Sequence, residues 1–197
     1  KPTLSMTLSS LLLQDYRNIR IHIVDTGDEP VIHRDDVAFA LRLAFDRGIR
    51  CDYEYSRERT RRFSVGRLQL LEVLSGPYLC WMDDDIVLPS GALQAMAPVL
   101  RDTSDFGFAV PKLVNAGFPG DPLEGLIHYA PGGVMHQDEL VRKILIDYYQ
   151  TAIDVLDGID SPDRVWEIAF LTELFQGLGR AGGLQEDNVI YHLDYRT

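Results

Sequence analysis

The sequence lacks the long apolar run that a membrane-spanning helix requires. Such a helix needs about 20 consecutive apolar residues, and no stretch of this 197-residue chain approaches that length. No signal peptide is recognisable at the N-terminus either. We therefore expect a chain with no transmembrane segment and, by default, a cytoplasmic location.

Cysteine is nearly absent, and the two residues present lack the spacing of metal ligands. Cys51 lies beside an apolar run and Cys80 lies within one, which is typical of small buried side chains. The pair gives no zinc signature. Nothing in the cysteine content requires an oxidising compartment.

Positive charge is also scarce. The chain has 19 Lys and Arg against 30 Asp and Glu, for a formal net charge of −11. Nucleic-acid binding depends on a basic face that meets the phosphate backbone, so this balance argues against a nucleic-acid partner. An acidic chain can still bind a phosphorylated small molecule where a metal ion or a local group of Arg residues supplies positive charge.

The chain does contain a regular alternation of helix and strand. Apolar spacing predicts helices over 3–14, 35–47, 64–75 and 90–100, and strands over 19–24, 49–55, 78–82 and 106–111. This order predicts an α/β fold with a mainly parallel sheet. The remainder predicts a long loop over 114–133, helices over 137–157 and 163–181, and a last strand over 188–192.

The start of the chain bears on the completeness of this fold. An α/β fold that opens with a helix is expected to have a strand before it, and Lys1 and Pro2 leave no room for one. We therefore expect the first strand to be absent from this chain. Without an internal repeat or a linker composition, residues 1–197 are predicted to form one domain.

Three consecutive carboxylates follow an apolar predicted strand. Asp83, Asp84 and Asp85 come directly after Tyr78–Met82, and ligands of open α/β sheets bind just beyond the carboxyl ends of strands. Like charges this close repel unless a cation lies among them. Carboxylate oxygens are natural ligands of Mg²⁺ and Mn²⁺, which usually bridge to substrate phosphates. The cluster predicts a divalent metal site, with a solvated acidic turn as the plainer alternative.

Four segments in register resemble a family 2 glycosyltransferase with the GT-A fold. They are Thr7–Asn18, Ile23–Asp25, Gly66-Arg67 leading to Ser75–Tyr78, and Asp83–Asp85 with Pro89–Leu93. Each segment alone is weak, but their shared order and spacing are fairly specific. The resemblance implies a Rossmann-like three-layer sandwich, with a donor-binding part over about 1–110 and an acceptor-binding part over about 111–197.

The resemblance also implies contacts to the nucleotide. Asp25 matches the aspartate with which such enzymes contact the nucleotide base, although an Asp here could merely cap a turn. Arg67 falls where the family has an Arg near the base or diphosphate, but Leu68 replaces the Asn that follows it. A solvated helix residue is the plainer interpretation of Arg67.

Metal roles are implied for the aspartate cluster and for a late histidine. Asp83 and Asp85 occupy the outer positions of the Asp-X-Asp motif. Asp85 is the first choice as direct ligand of Mn²⁺ or Mg²⁺, and Asp83 or Asp84 would reach the ribose or a metal-bound water. His192 matches a strand-ending His that can approach the metal or diphosphate in many relatives, with a structural histidine as the alternative.

The general base is where the chain departs from the family. An inverting transfer needs a carboxylate that takes the acceptor proton, and the family supplies it from an acidic pair ahead of an Ala-Gly. Counting back from Ala181-Gly182 gives Phe170 and Leu171 at that place. Glu167 is the preferred base and Glu173 the second choice, and a plain surface residue is the alternative for either.

The predicted activity is metal-dependent transfer of a sugar from a nucleoside diphosphate sugar to an unidentified hydroxyl acceptor, with inversion. Two alternatives stay open. Asp83–Val87 also fits the Asp-X-Asp-X-Val signature of haloacid dehalogenase-type Mg²⁺-dependent phosphatases, although that fold places the motif on its first strand. The apolar pair at 170 and 171 leaves open a non-catalytic domain of the same fold. A homodimer is a further open alternative.

Overall fold

The computed structural model describes residues 3–16, 18–56, 63–102, 105–115, 133–155 and 163–192. Most of the loop predicted over 114–133 lies outside these residues. The elements, in chain order, are α1 (Thr3–Leu12), β1 (Arg20–Asp25), α2 (Asp35–Asp46), β2 (Arg50–Tyr55), α3 (Phe63–Val73), β3 (Tyr78–Cys80), β4 (Ile86–Val87), α4 (Ala92–Asp102), β5 (Phe106–Asn115), β6 (Val134–His136), α5 (Glu139–Val155), α6 (Asp163–Gly177) and β7 (Ala181–His192).

The helices and strands predicted from apolar spacing are present, but β5 extends to Asn115 rather than to 111, α6 ends at Gly177 rather than at 181, and β7 begins at Ala181 rather than at 188. The prediction of an α/β fold is confirmed. Strand β4 was not predicted because it is only two residues long, Ile86 and Val87, which is too short for alternation to be visible. Along the part of the chain that is described, no helix combines the length and apolarity that crossing a bilayer would require.

The residues divide into two compact units, each assembled from separate stretches of chain. The first unit comprises Lys1–Asn18, Tyr78–His136 and Ile168–Thr197, and the second comprises Ile19–Pro77 and Gln137–Glu167. The aspartate cluster belongs to the first unit, whereas Asp25 and Arg67 belong to the second.

The first unit is built on a five-stranded mixed sheet with the order β3-β6-β5-β7-β4. Strands β5 and β7 are parallel, and the other pairings described in this sheet are antiparallel. The register between β5 and β7 shifts between Pro111 and Lys112, whose partners are Gln185 and Val189. Proline cannot donate to a strand ladder, so the ladder is interrupted there and resumes after a bulge in β7.

Helices cover this sheet with apolar side chains. Trp81, Met96, Phe108 and Phe175 are buried, and the rings of Phe108 and Phe175 pack with their centroids 5.6 Å apart. Gly107 lies against this pair, because a Cβ built on it would overlap the ring of Phe175. The close approach of β5 and α6 therefore requires a residue without a side chain at 107.

The second unit contains a βαβ unit in which β1 and β2 pair in parallel and α2 connects them. Asp35 and Asp36 occupy the first turn of α2, where carboxylates favour the positive end of the helix dipole. Gly48 follows the helix with φ at 70°, the left-handed conformation that commonly ends helices. Arg142 of α5 donates to the carbonyl of Leu74 at the end of α3 and joins the two helices.

A substitution at Gly107 tests the packing of the first unit. We expect Gly107→Ala to lower the free energy of unfolding by about 1–3 kcal/mol, because overpacking displaces Phe175. The matched control is Gly177→Ala at the end of α6, where an added Cβ meets nothing within 4 Å. Urea denaturation measures both, and equal stability of the two variants would contradict the close approach.

Candidate functional site

The three aspartates form a turn between β3 and β4. The backbone N–H of Ile86 donates to the carbonyl of Asp83 at 3.4 Å, which closes the turn. Asp83 is buried at 7% exposure, Asp85 is half-buried and Asp84 is exposed. A solvated acidic turn would leave all three in water, so that alternative accounts only for Asp84. We call residues 83–85 the aspartate turn.

Strand pairing brings the end of β7 to the aspartate turn. Strand β4 pairs antiparallel with β7, and the register sets Ile86 opposite His192. Because Ile86 follows Asp85 directly, the backbone of His192 lies beside the end of the turn. Asn115 of β5 is the other partner of His192, and the sequence offered no signal that would have selected it. The position predicted for His192 is therefore adjacent to the predicted metal ligands.

The donor types at this place fit a divalent cation. Carboxylates from one short turn can bind Mg²⁺ or Mn²⁺ and leave coordination positions for water and phosphate oxygens. An added imidazole suits Mn²⁺ as well as harder ions. Among the residues described, no group of three or more His, Cys, Asp or Glu side chains is already arranged to hold an ion.

Two buried polar side chains, Ser10 of α1 and Gln14 just after this helix, hold the segment that follows the aspartate turn. Ser10 Oγ accepts from the N–H of Leu88 at 3.1 Å. Gln14 is 2% exposed; its Nε2 donates to the carbonyl of Pro89 at 2.8 Å, and its Oε1 accepts from the N–H of Leu93 at 3.2 Å. The sequence analysis assigned these residues no role, although two polar residues four apart on a leucine-rich helix were a usable signal.

Asp25 organises the loop after β1. Its carboxylate is 7% exposed. Oδ1 accepts from the N–H of Gly27 at 2.9 Å, and Oδ2 accepts from the N–H of Val31 at 2.8 Å and from the hydroxyl of Tyr53 at 2.6 Å. The turn-capping function that the sequence left as an alternative is therefore present. It does not exclude a contact to a ligand, which stays a prediction.

Two tyrosines of β2 complete this loop. Burial and the Asp25 carboxylate raise the pKa of Tyr53 well above its ordinary value, so its hydroxyl is a donor at neutral pH. Tyr55 donates to the carbonyls of Gly27 and Asp28 at 3.2 and 3.1 Å. Sequence reasoning missed both residues, although period-two alternation on a strand paired with β1 places positions 53 and 55 on one face.

Arg67 lies in α3 and is 5% exposed. The interpretation of this residue as a solvated helix side chain is therefore wrong, and its guanidinium is instead enclosed by the protein. Arginine is seldom buried to this extent unless it is paired. The helix packs against β1, since a Cβ built on Gly66 would lie 3.9 Å from Val24 Cγ1.

The two candidate bases belong to α6. Glu173 is exposed, and Glu167 lies earlier in the same helix. Leu171, which stands where the family's acidic pair was expected, is fully buried. Packing explains the apolar residue at 171, because a carboxylate there would be enclosed by the core of the first unit. The roles of Glu167 and Glu173 stay predictions.

Comparison with known proteins concerns the first part of the chain most directly. The family model described as Glycosyl transferase family 2 matches residues 1–117. No curated protein sequence matches the chain. The family match covers the segments that carry the aspartate turn, Asp25 and Arg67.

Solved structures resemble nearly the whole chain. Residues 1–349 of S. aureus TarS match with a TM-score of 0.67 at 13% identity, covering 97% of this chain and 56% of that one. The mannosyltransferase PcManGT from Pyrobaculum calidifontis, in complex with GDP-Man and Mn²⁺, matches with a TM-score of 0.65 at 15% identity, covering 97% and 53%. TarS 1–349 in complex with UDP-GlcNAc matches with a TM-score of 0.65 at 13% identity, covering 98% of this chain and 55% of that one. These likenesses show the GT-A fold, and the chain spans about half the length of these structures.

Removal of the Gln14 amide tests the support of the aspartate turn. We expect Gln14→Leu to lower the free energy of unfolding by about 1–3 kcal/mol, because the buried Leu93 N–H loses its side-chain acceptor and the Pro89 carbonyl keeps only the N–H of Ala92 as a donor. Gln150→Leu on the exposed face of α5 is the control, with an expected change within about 0.5 kcal/mol. Similar urea midpoints for the two variants would show that the amide does not hold this segment.

Proposed function

Because the chain belongs to glycosyl transferase family 2, we propose that it transfers a sugar from a nucleoside diphosphate sugar to a hydroxyl acceptor with the help of a divalent cation. The aspartate turn carries this proposal, since Asp83 is buried, Asp85 is half-buried, and strand pairing brings the backbone of His192 beside the turn. The donor class is supported by TarS in complex with UDP-GlcNAc and by PcManGT in complex with GDP-Man and Mn²⁺.

In this proposal the aspartate turn holds Mn²⁺ or Mg²⁺. Asp85 is the direct ligand, with Asp83 and His192 as further ligands. The exposed Asp84, or Asp83, reaches the ribose or a metal-bound water. When bound, the ion neutralises the diphosphate and stabilises the negative charge that grows on the leaving group.

Asp25 and Arg67 are the residues proposed to contact the nucleotide. Asp25 accepts from the base, and the loop that it organises presents the carboxylate in one fixed orientation. Arg67 contacts the base or the diphosphate. A buried guanidinium is weakly hydrated and rigidly placed, which favours a charge-assisted contact with phosphate oxygens.

Inversion requires a carboxylate base. As the acceptor oxygen attacks the anomeric carbon, the base takes the hydroxyl proton and the nucleoside diphosphate leaves with the bonding electrons. We propose Glu167 for this role and Glu173 as the second choice. The exposed position of Glu173 is compatible with an acceptor that arrives from solvent.

Family membership sets aside the phosphatase alternative, in which the motif would lie on the first strand rather than after β3. The division into a donor-binding part over about 1–110 and an acceptor-binding part over about 111–197 of a single domain stays a proposal. A homodimer and an acceptor of defined chemistry are likewise untested. Slow metal-dependent hydrolysis of a sugar nucleotide, lost in Glu167→Gln, would argue against the non-catalytic alternative.

Substitution of Asp85 tests the proposed function. We expect Asp85→Ala to abolish Mn²⁺-dependent binding of nucleoside diphosphates, because the direct ligand of the cation is lost, while the melting temperature without ligand is kept. Calorimetric titration with UDP and GDP, with and without Mn²⁺, measures the effect.

The matched control is Asp102→Ala, which removes an exposed carboxylate of the same unit that is paired with Arg101 at 2.8 Å. This variant should bind as the unmodified protein does. Unchanged nucleotide affinity in Asp85→Ala would refute the metal assignment.

A further inference from the structure

Among the residues that the structure describes, the hydrogen bonds of Asp25 leave its carboxylate with a single open acceptor position. An ionised carboxylate offers about four acceptor sites, two on each oxygen. Two are taken on Oδ2, by the N–H of Val31 and the hydroxyl of Tyr53, and one is taken on Oδ1, by the N–H of Gly27. The remaining site lies on Oδ1.

Gly27 keeps the neighbourhood of this remaining site free of a side chain. A Cβ built on Gly27 would lie 3.0 Å from Asp25 Oδ1, which is a tight contact at the oxygen that still has an acceptor to offer. The loop thus approaches Oδ1 with backbone alone. A small planar donor group can then reach the oxygen where a methyl group would obstruct it.

Tyr53 occupies an acceptor site on the other carboxylate oxygen, Oδ2. Its hydroxyl lies 2.6 Å from Oδ2, and the raised pKa of Tyr53 means that the hydroxyl keeps its proton throughout the neutral range. Rotation of the carboxylate would break this hydrogen bond together with the one from Val31. Oδ2 therefore cannot turn to serve a ligand without a loss inside the protein.

Nucleobases differ in what they offer to such a carboxylate. Uracil has one imide N–H on its pairing edge. Guanine has two adjacent donors, N1–H and N2–H, which together match both oxygens of one carboxylate. With one acceptor site left beside a buried carboxylate, the uracil donor is matched, whereas one guanine donor finds no acceptor on Asp25. An unpaired buried donor is a strong ground for rejection.

We propose that this site selects uridine over guanosine nucleotides and that Tyr53 is the positioning residue that sets the preference. The inference rests on the proposed contact between Asp25 and the nucleotide base. It narrows the donor from a nucleoside diphosphate sugar in general to one whose base presents a single imide N–H.

The test compares the dissociation constants of UDP and GDP in the presence of Mn²⁺, measured by calorimetry. We expect the protein to bind UDP about 10- to 100-fold more tightly than GDP, the range that corresponds to one unpaired buried donor. In Tyr53→Phe, Oδ2 regains an acceptor site and the carboxylate is freer to turn. The ratio should then fall to within about fivefold of unity.

Tyr55→Phe is the matched control. Its hydroxyl holds the same loop through the carbonyls of Gly27 and Asp28 but does not contact the carboxylate. A purely structural effect on the loop would weaken UDP and GDP alike, so this variant should keep the ratio of the unmodified protein. An equal change of the ratio in both variants would overturn the role of Tyr53.

A modified nucleotide tests the contact without altering the protein. UDP methylated at N3 lacks the imide N–H and should bind about as weakly as GDP. Affinity equal to that of UDP would overturn the proposed contact, and tighter binding of GDP than of UDP would overturn the preference while leaving the proposed function intact. Failure of every nucleoside diphosphate to bind with Mn²⁺ would instead overturn the proposed function itself.

Discussion

The concentration of negative charge at the aspartate turn is the constraint on which this structure depends. Three carboxylates follow one another between β3 and β4, and Asp83 is buried and Asp85 half-buried in a chain of net charge −11. Ionised carboxylates are costly to shield from solvent unless a group of opposite charge accompanies them. In the proposed function a divalent cation accompanies the turn and gives an acidic protein the means to hold a diphosphate.

The surrounding elements position the turn rather than take part in chemistry. Ser10 and Gln14 bind the backbone just after β4 through buried hydrogen bonds. The register between β4 and β7 places the backbone of His192 opposite Ile86, next to the turn. Asp25 shows a different arrangement for a buried carboxylate, since three of its acceptor sites are taken by N–H and O–H donors of the chain itself. The Asp25 carboxylate is thereby held in one orientation as an acceptor, whereas the carboxylates of the aspartate turn are suited to a metal ion.

Apolar periodicity predicted the helices and strands well, because α2, β2 and their neighbours bury one face or one stripe each. The aspartate turn was also recognisable, since charge directly after an apolar strand conflicts with simple burial. Features that depend on pairing between distant segments could not be recognised from the sequence. Strand β4 is too short to show a pattern, and the contact of Tyr53 with Asp25 depends on the register of β1 with β2. The burial of Arg67 follows from helix packing that its own sequence neighbours do not reveal.

The central claim is that the aspartate turn binds a divalent cation through Asp85. A crystal structure of the protein grown with Mn²⁺ and UDP, with anomalous diffraction recorded at the manganese edge, tests it most directly. The account predicts one strong anomalous peak in direct coordination with the Asp85 carboxylate and with a phosphate oxygen of the nucleotide. Bound nucleotide with no manganese at the turn, or manganese coordinated elsewhere, would contradict it.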